Sequence, residues 1–558
     1  MRARVVAVSL LLLPSLLYAQ WQDDGVPLCT ATASQQATAA VADGAGGAFV
    51  VWTDARNGAG DIYAQRVDAA GNPLWTVDGI AVCAASQDQS APVIIADGTG
   101  GVIIAWHDWR NQATLNQDLY VQRLNGSGVA QWAANGVVLA SATAGQHYPR
   151  MLSDGAGGAI AAWLDFRNSS LNGETFATRL TSTGTLPDGV GGVDVSTATG
   201  GKTPWSILSF NGGALIAMID TRNGAPDIYV ARFTSAGAVL DPTGIPICVL
   251  GGDQQYPMTI TDGAGGAIIA WSDIARNGEI FAQRINSTGV IQWTLNGVAV
   301  GADILSSVSQ QPQMVSDGVG GAILSWVHYD GADPNVYAQR INASGAKQWG
   351  TNSLPVCTAS EDQTILAIAP DNAGGAVLGW GDRRNLALGY DIFAQRVYSN
   401  GTVAWLANGV VVCDDSADQP QFTLVPDLDG GAIFAWTDRR PFFQSDIYAH
   451  RLTAGGNIPT AIGDTPTVAR LGQNYPNPFN PETSIPFSLA RAGRVRLRVY
   501  EVDGRFVATL LDENRSAGEH VARWDGRDAR GRASASGVYF ARLEANGTHE
   551  TRKIALLK

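Results

Sequence analysis

The sequence predicts an all-β protein, an eight-bladed β-propeller followed by a small β-sandwich. Three observations predict it. A phrase recurs eight times, with Gly pairs opening at Gly46, Gly100, Gly157, Gly212, Gly265, Gly320, Gly374 and Gly430, spaced 53–57 residues apart. Repetition at that period builds one architecture from one unit. Each unit divides into four short runs rich in β-branched residues, separated by Gly and Asn/Asp turns. The second run of each unit, such as AFVVW or AIIAW, is apolar on both sides, which suits a sheet covered on both faces. No 3.6-residue periodicity supports a helical solenoid.

The elements follow in chain order. Residues 1–19 combine Arg2 and Arg4 with an apolar stretch too short to span a bilayer and end at Ala19, the pattern of a cleavable signal peptide. The propeller is assigned to residues 21–453. In its second full unit the strands are read at 92–96, 101–108, 118–124 and 136–140. The last unit lacks an outer strand, and WQDDGVPLC (21–29) is an outer strand without a unit. Joining them closes the ring from both termini and removes an exposed edge.

Residues common to all units read as packing elements, because a single site needs asymmetry. These are the Trp of the second strand (Trp52 to Trp436, with Met218 in the fourth copy), the Tyr or Phe of the third, and the Arg that ends the third. The Asp and Arg of Trp-x-Asp-x-Arg, as in Asp54 and Arg56, are expected to be turn ties and exposed ion pairs between blades. Cys29, Cys83, Cys248, Cys357 and Cys413 close equivalent strands too far apart for disulfides and are expected to be buried thiols.

The loops between second and third strands vary from 6 to 10 residues, while the opposite turns hardly vary. Variable loops on a rigid scaffold are where binding usually resides. The candidate ligand-binding residues on that face are Trp109, Phe166, Tyr329, Tyr390, Phe442, Phe443, His107 and His328, with Gln89, Gln146 and Gln254 just before the innermost strand. The alternative is drift in unused loops. No catalytic residue, metal site or cofactor is assigned. The six histidines lack zinc spacing, and no nucleophile elbow, phosphate loop or dinucleotide fingerprint occurs. A carboxylate pair across the channel stays open as the mark of a polysaccharide hydrolase or lyase.

The net charge of −13 is unevenly shared. Residues 459–558 carry 15 Lys and Arg against 11 Asp and Glu, leaving −17 elsewhere, and −19 without Arg2 and Arg4. An acidic body argues against nucleic acid or an anionic membrane as partner.

Residues 454–470 read as a linker rich in Gly, Pro and Thr, and residues 471–558 as a compact sandwich in which VRLRVYEV alternates apolar and basic positions. The motifs NYPNPFNP, VYEVDGRFV, GEHVARWDGRDARG, SGVYF and the terminal RKIALLK resemble the C-terminal sorting domain of the bacterial type IX secretion system. They also resemble the related Ig-like domain of flagellar hook-capping proteins. The resemblance implies an Ig-like fold and a partner in outer-membrane secretion machinery. It carries the sorting motif onto Asn474, Tyr475, Pro476, Asn477, Pro478, Phe479, Trp524, Asp525, Gly526, Gly537, Tyr539 and Lys558. It further implies an extracellular or outer-membrane-surface location after Sec-dependent export. The repeats look like those of uncharacterised secreted bacterial propeller proteins. Together these readings favour a carbohydrate- or protein-binding adhesion module, with an extracellular polysaccharide-cleaving enzyme or a purely structural surface protein as alternatives.

Overall fold

The computed structural model describes residues 21–457 except 112–116, 170, 302–310, 330–332, 386–388, 416 and 441–443. In the tail it describes residues 470–557 except 472–473, 475–478, 480, 490–491, 516–517 and 546–547. The expected signal peptide, most of the linker, Tyr475 to Pro478 and Lys558 lie outside the described residues.

Eight four-stranded antiparallel sheets succeed one another along residues 26–452. In the second sheet the strands run outward as Gln89–Ala96, Val102–Asp108, Asp118–Leu124 and Val137–Ala140. The inner strand begins before the apolar run that signals it in the sequence. A bulge between Ser90 and Val93 absorbs the extra residue, and the ladder continues back to Gln89. Seven sheets use consecutive strands. The eighth takes Gln421–Pro426, Ala432–Asp438 and Asp446–Leu452 from one end of the body and Val26–Cys29 from the other. Each inner strand touches that of the next sheet, and the eighth touches the first, so the sheets form a closed ring.

The recurring residues hold this ring in two ways. The first is a clamp within each sheet. Trp52 Nε1 donates to Asp54 Oδ2 at 2.8 Å, and Arg56 grips both carboxylate oxygens at 2.9 and 2.6 Å. Its guanidinium then lies 3.9 Å over the Tyr63 ring. The same stack recurs at Trp106–Asp108–Arg110–Tyr120, Trp380–Asp382–Arg384–Phe393 and Trp436–Asp438–Arg440–Tyr448. This corrects the expectation of exposed pairs between units. The Asp side chains are fully buried, and each pair lies inside one sheet because the Arg must reach the aromatic of its own third strand. Burying a Trp removes apolar area worth about 4–6 kcal/mol before entropy, and the Asp satisfies its otherwise orphaned indole N–H.

The five cysteines are free and buried. Four of them lie against the clamp Arg of the following sheet: Cys29 Sγ is 3.0 Å from Arg56 Nη2, and Cys83, Cys357 and Cys413 meet Arg110, Arg384 and Arg440 in the same way. Burial pushes the Cys29 thiol up to about 12 and those of Cys83, Cys248 and Cys357 to about 11. Thiolate chemistry is thereby suppressed.

The second device is a girdle between sheets. The Arg ending each third strand donates to a turn carbonyl of the next sheet: Arg66 to Gly126, Arg123 to Ser182, Arg179 to Ser235, Arg232 to Thr288. The series continues with Arg284 to Ala343, Arg340 to Ser399 and Arg396 to Ala454, and Arg451 returns to Ala69 of the first sheet. Six carbonyls also accept a Trp indole, among them Gly126 from Trp75, Ser182 from Trp132 and Ala343 from Trp293. At the closure Trp21 fills that place, donating to Ala69 at 2.9 Å. In six sheets the Arg also pairs with the Asp of the DGxGG-type turn, as Arg66 does with Asp43. The last Gly of that turn leaves no room for a side chain, since a Cβ on Gly47 would collide with the Val67 carbonyl.

The tail forms a three-stranded and a four-stranded antiparallel sheet over one apolar core. Val495, Leu497 and Val499 point inward at full burial, while Arg494 and Arg496 on the other face meet Asp512. Of the expected sorting residues, Phe479, Trp524 and Tyr539 pack ring on ring at 5.3 and 5.1 Å. Asn474 is buried and donates to Thr483 Oγ1 at 2.9 Å, Asp525 and Gly537 are exposed, and Gly526 turns at φ 70°.

Candidate functional site

Inner strands face the centre of the ring. Antiparallel pairing sets their first residues beside the ends of the second strands, on the face of the variable loops, with Gln146 opposite Asp165 and Gln254 opposite Asp273. Three of the expected ligand-binding residues are misassigned. Gln89, Gln146 and Gln254 are 0% exposed. Their amides donate to carbonyls of their own loops: Gln89 to Gln87 at 2.8 Å, Gln254 to Gly252 at 3.0 Å, and Gln146 to Ala144. They brace the connection between sheets and have no surface to offer a ligand.

His107 and His328 are buried as well. His107 Nε2 accepts the backbone N–H of Tyr148 in the next sheet at 3.2 Å, so it positions that residue rather than meeting a ligand. Burial first, then His147 and the Arg150 guanidinium, push its pKa down to about 4, and it stays neutral. His328 occupies the clamp position that is Asp in most sheets and meets Tyr337 edge-on at 6.0 Å. Trp109 and Phe166 are half-buried and approach one another's neighbourhood through two histidines. Trp109 lies 6.4 Å from His107, His107 6.1 Å from His147, and His147 5.6 Å from Phe166. Tyr329 and Tyr390 are half-buried on the sixth and seventh sheets, outside that cluster. Phe442 and Phe443 lie outside the described residues.

The structure adds residues that the sequence reading passed over. In the third, fourth and fifth sheets the bulge of the inner strand carries an aromatic: Tyr148, Trp205 and Tyr256. Tyr148 is 54% exposed, the other two half-buried, and Trp205 meets Tyr256 at 5.2 Å. The bulge holds Tyr148 at φ 51° and Tyr256 at φ 61°, a left-handed conformation that costs a non-glycine residue about 1 kcal/mol. The equivalent residues of the first two sheets are Ala37 and Ala91, so the aromatics belong to one arc of the ring. Arg150 follows on the same inner strand as Tyr148, and its Nε donates to the Trp205 carbonyl at 2.7 Å. That replacement of small residues by aromatics in three successive copies was a signal available in the sequence. It was hidden because the bulge lies outside the apolar run.

The arc offers flat apolar faces, an arginine and ring nitrogens. His147, with its basicity lowered by burial, packs between Tyr148 and Phe166. None of the described inner strands contains Asp or Glu. The arrangement can stack planar or apolar ring faces and orient a polar ligand.

No family model matches this chain, and no curated protein matches it. Among solved structures it is similar to the BP39L lectin from Burkholderia pseudomallei, at 12% identity and TM-score 0.44, over 70% of this chain and 100% of that one. An ulvan lyase bound to -[GlcA(1-4)Rha3S]- is similar at 11% identity and TM-score 0.43, over 79% and 97%. The polysaccharide lyase Uly1 is similar at 9% identity and TM-score 0.42, over 75% and 100%. All three are distant likenesses.

Proposed function

We propose that this chain is a secreted or surface-displayed carbohydrate-binding protein. In this reading its body is an eight-bladed β-propeller and its tail an Ig-like sorting domain for type IX export. The observation that carries the binding role is the asymmetric arc of Tyr148, Trp205 and Tyr256 on otherwise equivalent bulges. Residues that hold the fold recur in nearly every sheet, whereas these occur in three neighbouring ones. Aromatic faces presented by a rigid strand at little entropic cost suit sugar rings. No helix among the described residues is long and apolar enough to cross a membrane.

The test is a glycan array probed with the full mature chain and with Tyr148→Ala, Trp205→Ala and Tyr256→Ala. Each substitution is expected to weaken selective glycan binding by about tenfold or more, with the thermal unfolding midpoint held close to the parent's. Unchanged glycan binding in all three variants would remove the arc from the function.

A cleaving enzyme has one observation in its favour. His147 and Tyr148, both able to move a proton, stand beside Arg150. The same incubations, assayed for new reducing ends, separate cleavage from binding.

A further inference from the structure

Arginine in this body is almost always neutralised. Every arginine of residues 21–457 other than Arg150 has a carboxylate oxygen within 4.0 Å. Arg150 has none among the described residues. Its Nε is held by the Trp205 carbonyl at 2.7 Å, and Nη1 makes a long 3.5 Å contact with the Pro149 carbonyl. The outer edge of the guanidinium has no carboxylate to meet.

Position makes this more than a stray surface charge. The inner-strand residue opposite the one before the clamp Trp is Ala39, Val93, Arg150, Ser206, Met258, Gln313, Ala367 and Thr423 around the ring. One sheet of the eight places a charge there, and that sheet also carries the exposed Tyr148. Burial weakens the hold of Arg150 on its proton, opposed by the Tyr148 phenol alone. A partly desolvated guanidinium without a counterion is costly to keep in an apolar setting, and an oxyanion meeting its fork recovers that cost through charge-assisted hydrogen bonds.

We infer that the aromatic arc is a subsite for an anionic polysaccharide. Arg150 would bind the ring oxyanion, a uronate carboxylate or a sulfate ester, while Tyr148 and the Trp205–Tyr256 pair hold the sugar faces. This deepens the carbohydrate reading above and rests on it. The acidic body does not oppose it at close range. Charges farther than about 8 Å are screened at physiological ionic strength, and the clamp and girdle aspartates are already paired with arginine.

The test titrates the full mature chain with three probes: an unsulfated polyuronate oligosaccharide, a sulfated uronate-free galactan oligosaccharide, and a neutral glucan oligosaccharide. Arg150→Gln and Arg150→Lys are compared with the parent. An acidic probe should bind the parent best and lose about tenfold or more with Arg150→Gln, with a smaller loss for Arg150→Lys, which keeps the charge without the fork. The acidic probe that responds identifies the oxyanion as carboxylate or sulfate. Competition on the parent by free glucuronate or galactose sulfate, against glucose, gives the same answer if Arg150→Gln fails to fold. Preference of the parent for the neutral probe, or acidic binding unmoved by Arg150→Gln, overturns the anionic subsite and leaves the carbohydrate reading standing. Silence towards every probe removes both.

Discussion

Asp446 opens the third strand of the eighth sheet with its side chain buried and Asp438 across the ladder. In other sheets the equivalent carboxylate accepts an Asn amide, as Asp61 does from Asn57 at 2.8 Å, Asp227 from Asn223 at 2.7 Å and Asp391 from Asn385 at 2.8 Å. The eighth repeat has Pro441 at the Asn position. Burial, and after it the charge of Asp438, push Asp446 up to about 6. The folded state therefore binds more protons than the unfolded state between about pH 4 and the folded value, and stability falls as pH rises through that window. Asp446→Asn should raise stability by on the order of 1–2 kcal/mol near neutrality and by almost nothing at about pH 4. Urea denaturation at both pH values checks this, and an equal gain at both would refute the titration.

At the scale of the element, the strand Val26–Cys29 matters more than its length suggests. It pairs with Asp446–Leu452, and Trp21 just before it extends the girdle to Ala69. Without it the third strand of the eighth sheet becomes an unpaired edge and a template for association. A mature chain lacking residues 21–29 should unfold at a clearly lower temperature and elute as larger species in size-exclusion chromatography. Trp21→Ala alone, removing a buried indole, should cost about 3–5 kcal/mol. A truncated chain as stable and monodisperse as the parent would show that closure contributes little.

For the whole molecule, the charge division separates two bodies of different character. The acidic ring is joined to a tail that carries net positive charge. The proposed sorting role of the tail predicts that a chain ending near residue 457 stays in the periplasm of a type IX-competent bacterium, while the full chain reaches the surface or medium. Cell fractionation decides it, and equal release of both chains would assign the tail another role. In the described part of the tail, Phe479, Trp524 and Tyr539 are core residues. Substituting them tests folding, so surface positions such as Asp525 are the better probes of recognition.

The sequence by itself determined the all-β class, the period and the location of the second and third strands, because alternation, turn residues and repetition are local properties of the chain. It also separated recurring residues, which pack, from non-recurring ones. Only the tertiary structure decided what those residues touch. The clamp aspartates read as turn ties and ion pairs between blades; the turn tie is there, with the Arg56 backbone N–H donating to Asp54 Oδ1, but the carboxylate is enclosed by the Trp and Arg of its own sheet and the outer strand of the preceding one. Gln89, Gln146 and Gln254 read as ligand-facing because they begin the inner strands, but each amide is buried and turned into its own loop, where a carbonyl two residues earlier accepts it. The aromatics of the arc, Tyr148, Trp205 and Tyr256, stand at equivalent places of three successive repeats, but that they and Arg150 come together was decided by the tertiary structure. The members of the arc are more than fifty residues apart from one sheet to the next, and they meet because bulged strands from successive sheets converge on one axis.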